Sequence, residues 1–510
     1  MNIPNRQLDV LFITPDSSVA VYQALSNTYT AIEPPTWSLL LAQSCRAKGF
    51  GVAIVDCTAE RLTDEQSLQR IKELNPRLVC FVLYGQNPNS GTTNMIGGIR
   101  LCARLRQAYP EYRTCFVGSH VSALPKEVLA YDFIDIVLLN EGVYALHNLL
   151  QSDLDTELGK VDGIGYKQNG QPVLNAAQSV VPQHLMDQDL PGYAWDLLPY
   201  DKKPLDLYRA HFWHAEFNHN LRTPFAAIYT SLGCTFKCDF CMINILNRVD
   251  NADRIASADS SVMRFWSPQF MLSEFDKLAA MGVETIRLSD EMFFLNRKYY
   301  EPLLKGLVER DYNLRMWAYS RVDTVQPQYL DLLKKAGVQW LALGIEAGNQ
   351  EIRREISKGK FQEVDIRKAV DQVRDHGVNV LGNYIFGLPD DTLDSMQQTL
   401  DLAIELNTEH ANFYPCQALP GSPLYHVARD NGWDLPNSYD GYGFLSYEAQ
   451  PLPTKHLTAA EVIKFRDDAW HAYFSRPEYL GLVERKFGTE QRKNVEKLTE
   501  IKLKRKLLGD

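Results

Sequence analysis

Cys234, Cys238 and Cys241 stand in the run S-L-G-C-T-F-K-C-D-F-C that starts at Ser231. The spacing is C-x3-C-x2-C. A compact loop of this kind can wrap three thiolates around three corners of a cubane iron–sulfur cluster, leaving the fourth iron without a protein ligand. A small molecule can bind at that open iron and be reduced by one electron. Zinc sites use similar cysteine pairs but need a fourth ligand, and the next cysteine downstream is Cys416. Ferredoxin-type clusters use four cysteines at other spacings. Zinc and plain buried thiols are the rival readings of the triad.

The elements that must position the triad are repeated strand–helix units. The apolar segment Phe225 to Tyr229 leads into it. Downstream strands are expected at Thr285–Leu288, Arg315–Ala318, Trp340–Gly344, Asn379–Phe386 and His410–Tyr414, with helices over 267–280, 298–309, 327–335, 362–376 and 393–406. This pattern predicts a full or partial β/α barrel with its chemistry at the strand ends. Polar residues gather at those ends: Ser289, Asp290 and Glu291, then Ser320 and Arg321, then Glu346. An arginine at the third end can grip a carboxylate with two parallel hydrogen bonds; a surface salt bridge is the alternative. Glu346 lies between Ile345 and Ala347, and unpaired burial of a carboxylate is expensive, so it is expected to face a filled site. Tyr319, Asn383, Tyr384, Asn412, Tyr414 and Cys416, also at strand ends, form a candidate substrate wall. Cys416 reads as an inert core thiol or as a hydrogen donor near a radical.

Residues 8 to 150 alternate strands (Asp9–Thr14, Gly51–Val55, Leu78–Leu83, Thr114–Val117, Ile134–Leu138) with helices over 36–48, 64–74, 92–107, 124–130 and 142–150. Such spacing predicts a doubly wound, Rossmann-like parallel sheet, with ligands beyond the carboxyl ends of its strands. Those ends carry Asp16 and Ser17; Tyr84, Gly85, Asn87, Ser90, Gly91 and Thr92; Gly118, Ser119, His120 and Ser122; and Asn140, Glu141 and Gly142. The first strand is followed by T-P-D-S-S, which is no dinucleotide fingerprint. Small residues at 85 and 90–92 permit close backbone approach to a large planar ligand, and Gly91–Thr92 can open a helix whose N–H groups receive a phosphate. Asn140 tolerates left-handed backbone.

Residues 151–225 read as a connector with a small hairpin near 161–173 and a proline-bounded crossover, Leu190 to Pro199, that packs between domains. The aromatic stretch Tyr208 to Phe217 is placed at the mouth of the site. Residues 431–510 read as helical, the last thirty carrying nine Lys/Arg against five Asp/Glu, as on a solvated helix. Net charge is -10, with 45% hydrophobic and 23% charged residues, which argues against general nucleic-acid affinity. No apolar span long enough for a stable membrane insertion and no signal-like start are found. Nine cysteines in 510 residues are not laid out as a disulfide scaffold, so a cytoplasmic location is expected.

The triad, with Phe240 before its last cysteine, resembles the signature of the radical S-adenosylmethionine superfamily. So do G-I-E-A-G at Gly344–Gly348, G-L-P-D-D-T from Gly387, and the P-C-Q-A-L-P-G-S-P-L-Y segment through Gln417 that closes the adenosyl site. S-D-E at 289–291 stands where the superfamily has G-G-E, so both glycines of the backbone edge for the methionine ammonium are absent and Asp290 or Glu291 is left to bind the cation. The first domain resembles the cobalamin-binding domain that precedes many such enzymes, through G-S-H-V-S-A-L-P from Gly118 and N-E-G at 140–142. It lacks the D-x-H-x-x-G of the methionine-synthase type, so His120 is expected near the nucleotide tail and not on cobalt.

The resemblance covers about residues 8–430. It implies an N-terminal cobalamin-binding domain (1–150), a partial (β/α)6 radical barrel (226–430) and a helical C-terminal region (431–510). It also implies a 4Fe–4S cluster on Cys234, Cys238 and Cys241. S-adenosylmethionine would lie against Phe240, Ser289, Asp290, Glu291, Ser320, Arg321, Glu346, Gly387 and Gln417, and cobalamin against the strand ends named above. The implied activity is methyl transfer from methylcobalamin to a carbon of a small metabolite, with natural-product or antibiotic biosynthesis as the setting. A flavodoxin or ferredoxin would supply single electrons, and a monomer is compatible with this pattern. Cyclisation or ring contraction by the same cofactors, and a noncatalytic iron–sulfur sensor, are the rival functions.

Overall fold

The structure is a computed structural model and describes residues 8–250, 252, 257–357 and 364–510. The first sheet contains β1 (Val10–Thr14), β2 (Val52–Asp56), β3 (Leu78–Leu83), β4 (Arg113–Gly118) and β5 (Ile136–Leu138), all parallel, in the order β2-β1-β3-β4-β5. Both faces are buried. Val10 and Phe12 enter one apolar cluster, Leu11 and Ile13 the other, so alternate side chains serve opposite layers and the strands read as continuous apolar runs. The expected hairpin exists as β6 (Ile164–Gln168) and β7 (Gln171–Leu174). It does not stand alone: β6 pairs antiparallel with β5, extending the sheet beyond residue 150.

The second sheet is built from β8 (Phe225–Ile228), β11 (Thr285–Leu288), β12 (Arg315–Arg321), β13 (Val338–Glu346), β14 (Asn379–Phe386) and β15 (His410–Pro415). They are parallel and neighbours in sequence order, an open six-stranded barrel-like core. A short antiparallel pair, β9 (Ser231–Gly233) and β10 (Met263–Phe265), braces the start of the cysteine loop. Strand and helix positions agree with the sequence to within a few residues. The helix expected over 362–376 spans Ile366–Asp375; residues 362–363 lie outside the described residues. A helix over Ser119–Ala123 was not anticipated.

Of the C-terminal helices, Ala459–Phe474 packs on β14 and β15, and Pro477–Phe487 and Thr489–Thr499 pack on it and on each other. Tyr473 donates to the Thr408 carbonyl at 2.7 Å, and Arg466 to the Phe413 carbonyl at 2.8 Å. The last residues leave the helix and return to the first domain. Gln23 Nε2 donates to the Lys504 carbonyl at 3.1 Å, and Lys504 N–H to Gln23 Oε1 at 3.2 Å. Arg505 is buried against Asp467, at 2.7 and 2.8 Å. Of the last thirty residues, those up to Thr499 are largely helical and half-buried to exposed, as expected; only the stretch after them departs, anchored by a guanidinium fork and a reciprocal amide pair. No helix among the described residues is long and apolar enough to cross a membrane.

Candidate active site

The cysteine loop is held from both sides. Asp290, at the end of β11, is buried and accepts from Thr230 N–H (2.8 Å), Thr230 Oγ1 (2.7 Å) and Ser231 Oγ (2.5 Å). Burial raises its pKa to about 6 against those three bonds. Asn244 Oδ1 accepts from the Cys234 N–H at 2.9 Å, and the Phe236 N–H donates to Cys234 Sγ at 3.4 Å. From the first domain, Asn89 Oδ1 accepts from the Met242 N–H at 3.1 Å, and its Nδ2 lies 4.0 Å from Cys241 Sγ.

All three thiols are free of disulfides. Burial raises Cys234 to about 11 and Cys238 to about 12, and lifts Cys241 well above the usual thiol value. Thiols buried together on one loop fit a polynuclear cluster, whose positive charge replaces the three protons. Among the described residues no three or more His, Cys, Asp or Glu converge on a single ion. A cubane needs no such convergence, because each thiolate meets a different iron.

Beside the loop lies a cavity of about 300 Å³ whose walls include Phe240, Glu291, Glu346, Asn383, Cys416 and Gln417. Glu291 Oε1 is buried without a partner, and burial raises this carboxyl to about 8. Burial likewise raises Glu346 to about 7. Glu346 sits at φ 67°, where the β13–β14 register shifts; a non-glycine residue held in left-handed backbone is strain of the kind stored at functional sites. Two buried carboxyls at one pocket wall suit an ammonium ligand.

The other residues expected at S-adenosylmethionine are committed elsewhere. Ser289 donates its N–H to the Ile228 carbonyl at 2.7 Å, Asp290 braces the loop, and Ser320 pairs with Thr324 at 2.8 Å. Arg321 was expected to grip a ligand carboxylate. Its guanidinium instead forks onto Asp323, at 2.5 and 2.6 Å, and stacks 3.7 Å over Phe236. Gly387 lies outside the cavity wall, its N–H bound to Asp391 Oδ2 at 3.0 Å; a side chain there would collide with Val462.

The cobalamin-side residues divide into two groups. Asp16, Ser17, Tyr84, Gly85 and Ser90 line a cavity of about 120 Å³ at the ends of β1 and β3. Asn87, its Oδ1 buried and unpartnered, faces the neighbouring spaces. The remainder form a sealed layer behind them. Thr92 Oγ1 meets His120 Nδ1 at 3.1 Å, Ser119 donates to the Pro88 carbonyl at 2.6 Å, and Ser122 and Tyr84 both donate to the Asn140 carbonyl. Asn140 is left-handed, as its type suggested, with Gly142 N–H on its Oδ1.

The small residues expected to admit a ligand mostly admit protein. A Cβ on Gly91 would sit 1.9 Å from Ser119 Oγ, and one on Gly118 2.5 Å from the Leu83 carbonyl. Glu141 is an interdomain brace, paired with Arg264 at 2.7 Å. His120 is buried and neutral, its pKa lowered to about 3 by burial, and lies edge-on to Tyr439; it lines none of these cavities.

A third space, about 1080 Å³, opens beside the others. Its walls include His211, Trp213, Trp317, Asn412 and the returning tail. Tyr319 and Tyr414 wall both this and the 300 Å³ cavity, and Tyr22 and Ser90 wall all three. The aromatic connector therefore reaches the mouth as expected. Tyr384 does not reach it. It follows Asn383 on β14, so it points to the opposite face, where it stacks on Phe413 at 5.5 Å. Cys416 lines the smaller cavity, and burial pushes its thiol far above the usual range. Sequence reasoning missed Tyr22, Glu33, Trp37 and Arg287, and it placed Asn89 only within a segment facing the corrin and not on the cluster loop. Trp37 stacks on Tyr84 at 4.6 Å, and only its apolar helical context marked it, as core.

The model of the B12 binding domain matches residues 22–150, and that of the radical SAM superfamily matches residues 228–403. The chain belongs to the cobalamin-binding radical SAM enzymes. An uncharacterized methyltransferase of Pyrococcus horikoshii, PH0819, is 25% identical over 485 residues, 93% of this chain and 94% of that one. An anaerobic magnesium-protoporphyrin IX monomethyl ester cyclase of Rubrivivax gelatinosus is 24% identical over 438 residues, 82% of this chain and 70% of the relative. Among solved structures, the radical S-adenosylmethionine methyltransferase TsrM from Kitasatospora setae, with tryptophan and a SAM analogue bound, superimposes with a TM-score of 0.66. It is 15% identical, covering 97% of this chain and 99% of that one. At this identity the likeness is one of fold.

Proposed function

We propose that this protein is a cobalamin-dependent methyltransferase that methylates a carbon of a small molecule. The observation that carries the reading is adjacency: Glu291, Glu346 and Gln417 line one cavity and Tyr84, Gly85 and Ser90 line the next, and the two share Tyr22 and Ser90 as wall residues. When bound, the cluster and S-adenosylmethionine supply one-electron cleavage of a carbon–sulfur bond, and cobalamin supplies a transferable methyl group.

The chain's own residues do the rest. Cys234, Cys238 and Cys241 hold the cluster, and Asp290 fixes the loop that carries them. Glu291 and Glu346 would receive the ammonium of S-adenosylmethionine, with Phe240 and Gln417 beside it. Asp16, Ser17, Tyr84, Gly85, Asn87 and Ser90 would hold the corrin from the ends of β1 and β3. Tyr319, Asn383, Asn412 and Tyr414 face the substrate, and a small reducing protein supplies electrons.

The relatives named as methyltransferases, among them one acting on cytidylyl-2-hydroxyethylphosphonate, support this reading; the cyclase relatives favour ring closure as the second. Anaerobic reconstitution with iron, sulfide and hydroxocobalamin tests the cofactors: about four irons and one corrin per chain are expected. Substrate screening then separates the reactions. Methylated product with S-adenosylhomocysteine supports methyl transfer, and a cyclised product without it overturns it.

A further inference from the structure

A buried ionic array crosses the domain boundary at the chamber wall, and the proposed chemistry leaves it unused. Glu33, from the first domain, has a side chain only 7% exposed, and Arg287, on β11, only 1%. Arg287 Nη1 donates to Glu33 Oε2 at 2.7 Å, and its Nη2 donates to Tyr319 Oη at 3.2 Å. His211 Nε2 lies 3.2 Å from Glu33 Oε1. The guanidinium also stacks against Trp317 and Tyr319, at 5.0 and 5.6 Å from the ring centres.

Taking two charges out of water costs several kcal/mol per ion, and an apolar pair of the same volume is often as stable. Stability alone is therefore weak reason for this array. Its effect on Tyr319 is specific. Because the phenol oxygen accepts from a cation, its hydrogen is turned away from Arg287 and made a stronger donor. No acceptor for that hydrogen stands among the described residues, and the phenol faces both larger spaces.

Further along the sheet, Asn412 Nδ2 donates to Asn383 Oδ1 at 3.1 Å. That bond leaves Asn412 Oδ1 as an acceptor and Asn383 Nδ2 as a donor. Tyr319 borders both spaces, Asn383 the smaller and Asn412 the larger, so their common wall presents the Tyr319 hydroxyl and Asn383 Nδ2 as donors and Asn412 Oδ1 as an acceptor, oriented before any ligand arrives.

We propose that Glu33 and Arg287 are positioning residues that aim the Tyr319 hydroxyl at a substrate oxygen, and that the substrate is a hydroxylated, sugar-like or polyol molecule. This rests on the reading that the chamber is the substrate site. A purely apolar substrate would leave three oriented polar groups unpaired, which a site built to hydrogen-bond penalises heavily.

The test uses the full chain, loaded with cluster and hydroxocobalamin and carrying 3-fluorotyrosine at position 319. Methyl glucoside is the hydroxylated probe and toluene the apolar one, each titrated while the fluorine resonance is followed. Methyl glucoside should shift the resonance saturably and toluene should not. Glu33→Gln and Arg287→Met should each weaken the glucoside response by about tenfold, the worth of one charge-assisted hydrogen bond, and Arg287→Lys should recover part of it. Iron and corrin contents should stay at wild-type levels.

Equal responses to both probes, no response to the glucoside, or wild-type affinity in both variants would overturn the proposal. If Arg287→Met fails to fold, the isosteric Glu33→Gln decides alone. The readout is binding at one ring. A failure here leaves the methyltransferase reading intact, and a failure of methyl transfer leaves this one intact.

Discussion

Asn89 ties the cobalamin-side domain to the last cysteine of the cluster loop: its Nδ2 lies 4.0 Å from Cys241 Sγ while its Oδ1 accepts from the neighbouring Met242 N–H. Amide donors to a cluster sulfur stabilise the reduced, more negative state and raise its potential. Asn89→Asp keeps the acceptor and removes the donor. We expect a lower cluster potential in a potentiometric titration followed by electron paramagnetic resonance, at unchanged iron content. An unchanged potential in a fully loaded variant would show that the contact only fixes the loop.

Asp290 replaces the second glycine of the family's G-G-E edge, yet its work is internal. Three hydrogen bonds to Thr230 and Ser231 hold the chain as it enters the triad. Asp290→Ala leaves those donors unpaired in a buried site, at a cost of about 2–5 kcal/mol. The expected result is a lower melting temperature and reduced iron after reconstitution. Glu291→Gln, by contrast, should keep its iron and weaken S-adenosylmethionine binding. Equal iron loss in both variants would refute this division of labour.

Part of this site was legible in the sequence because strand period and motif spacing act locally. Asn412 and Tyr414 are two residues apart on β15 and share a face, whereas Asn383 and Tyr384 are adjacent and cannot. The strand period of two is by itself enough to set Tyr384 apart from that wall. The type of Asn140 announced its left-handed backbone. Gly91 and Gly118 announced close approaches, but a glycine does not say whether protein or ligand fills the space, and here Ser119 and Leu83 do. The pairing of Glu33 with Arg287 spans 254 residues and leaves no local trace, since an ion pair across domains has neither period nor motif. Arg321 could not reveal from its place at a strand end that Asp323, two residues on, already neutralises it.

His120 tests the expectation that no histidine lies beneath the cobalt. It is neutral, bonded to Thr92 and stacked edge-on with Tyr439. His120→Gln should leave corrin content and the cob(II)alamin resonance spectrum unchanged while lowering stability by about 1–3 kcal/mol. Loss of nitrogen hyperfine structure in the variant would instead place this ring on the metal.

Glu141 and Arg264 form a buried pair, 1% and 4% exposed, that joins the first domain to β10. Glu141 also accepts from the Val181 N–H at 2.5 Å. Removing one partner strands the other charge, so Glu141→Ala should cost about 3–5 kcal/mol. Exchanging both partners for well-packed apolar residues should recover most of that loss. Thermal unfolding of the single and double variants measures it; a single variant as stable as wild type would mean that water reaches the arginine.

The two buried carboxyls at the cavity wall give the protein a definite pH dependence. Glu291 and Glu346 are raised from the usual carboxyl value of 4.5 to about 8 and about 7 by burial. Between those limits the folded state binds protons that the unfolded chain has released, so stability is full at low pH and falls as pH rises. Each group contributes a slope of about 1.4 kcal/mol per pH unit within its window. Buried His120, His214 and His410 are lowered and pull the opposite way, but only below about pH 6.5, where the unfolded histidines gain protons. From pH 7 to 8 the carboxyls and the buried thiols, which burial also raises, act in the same direction, and denaturant unfolding should show stability declining. Glu291→Gln should flatten that decline. An ammonium-bearing ligand favours the ionised form of the same carboxyls, so S-adenosylmethionine should bind more tightly at pH 8 than at pH 6.5 and release protons as it does. Stability that rises across this interval, or a Glu291→Gln profile identical to wild type, would mean that these carboxyls are ionised and paired before any ligand arrives.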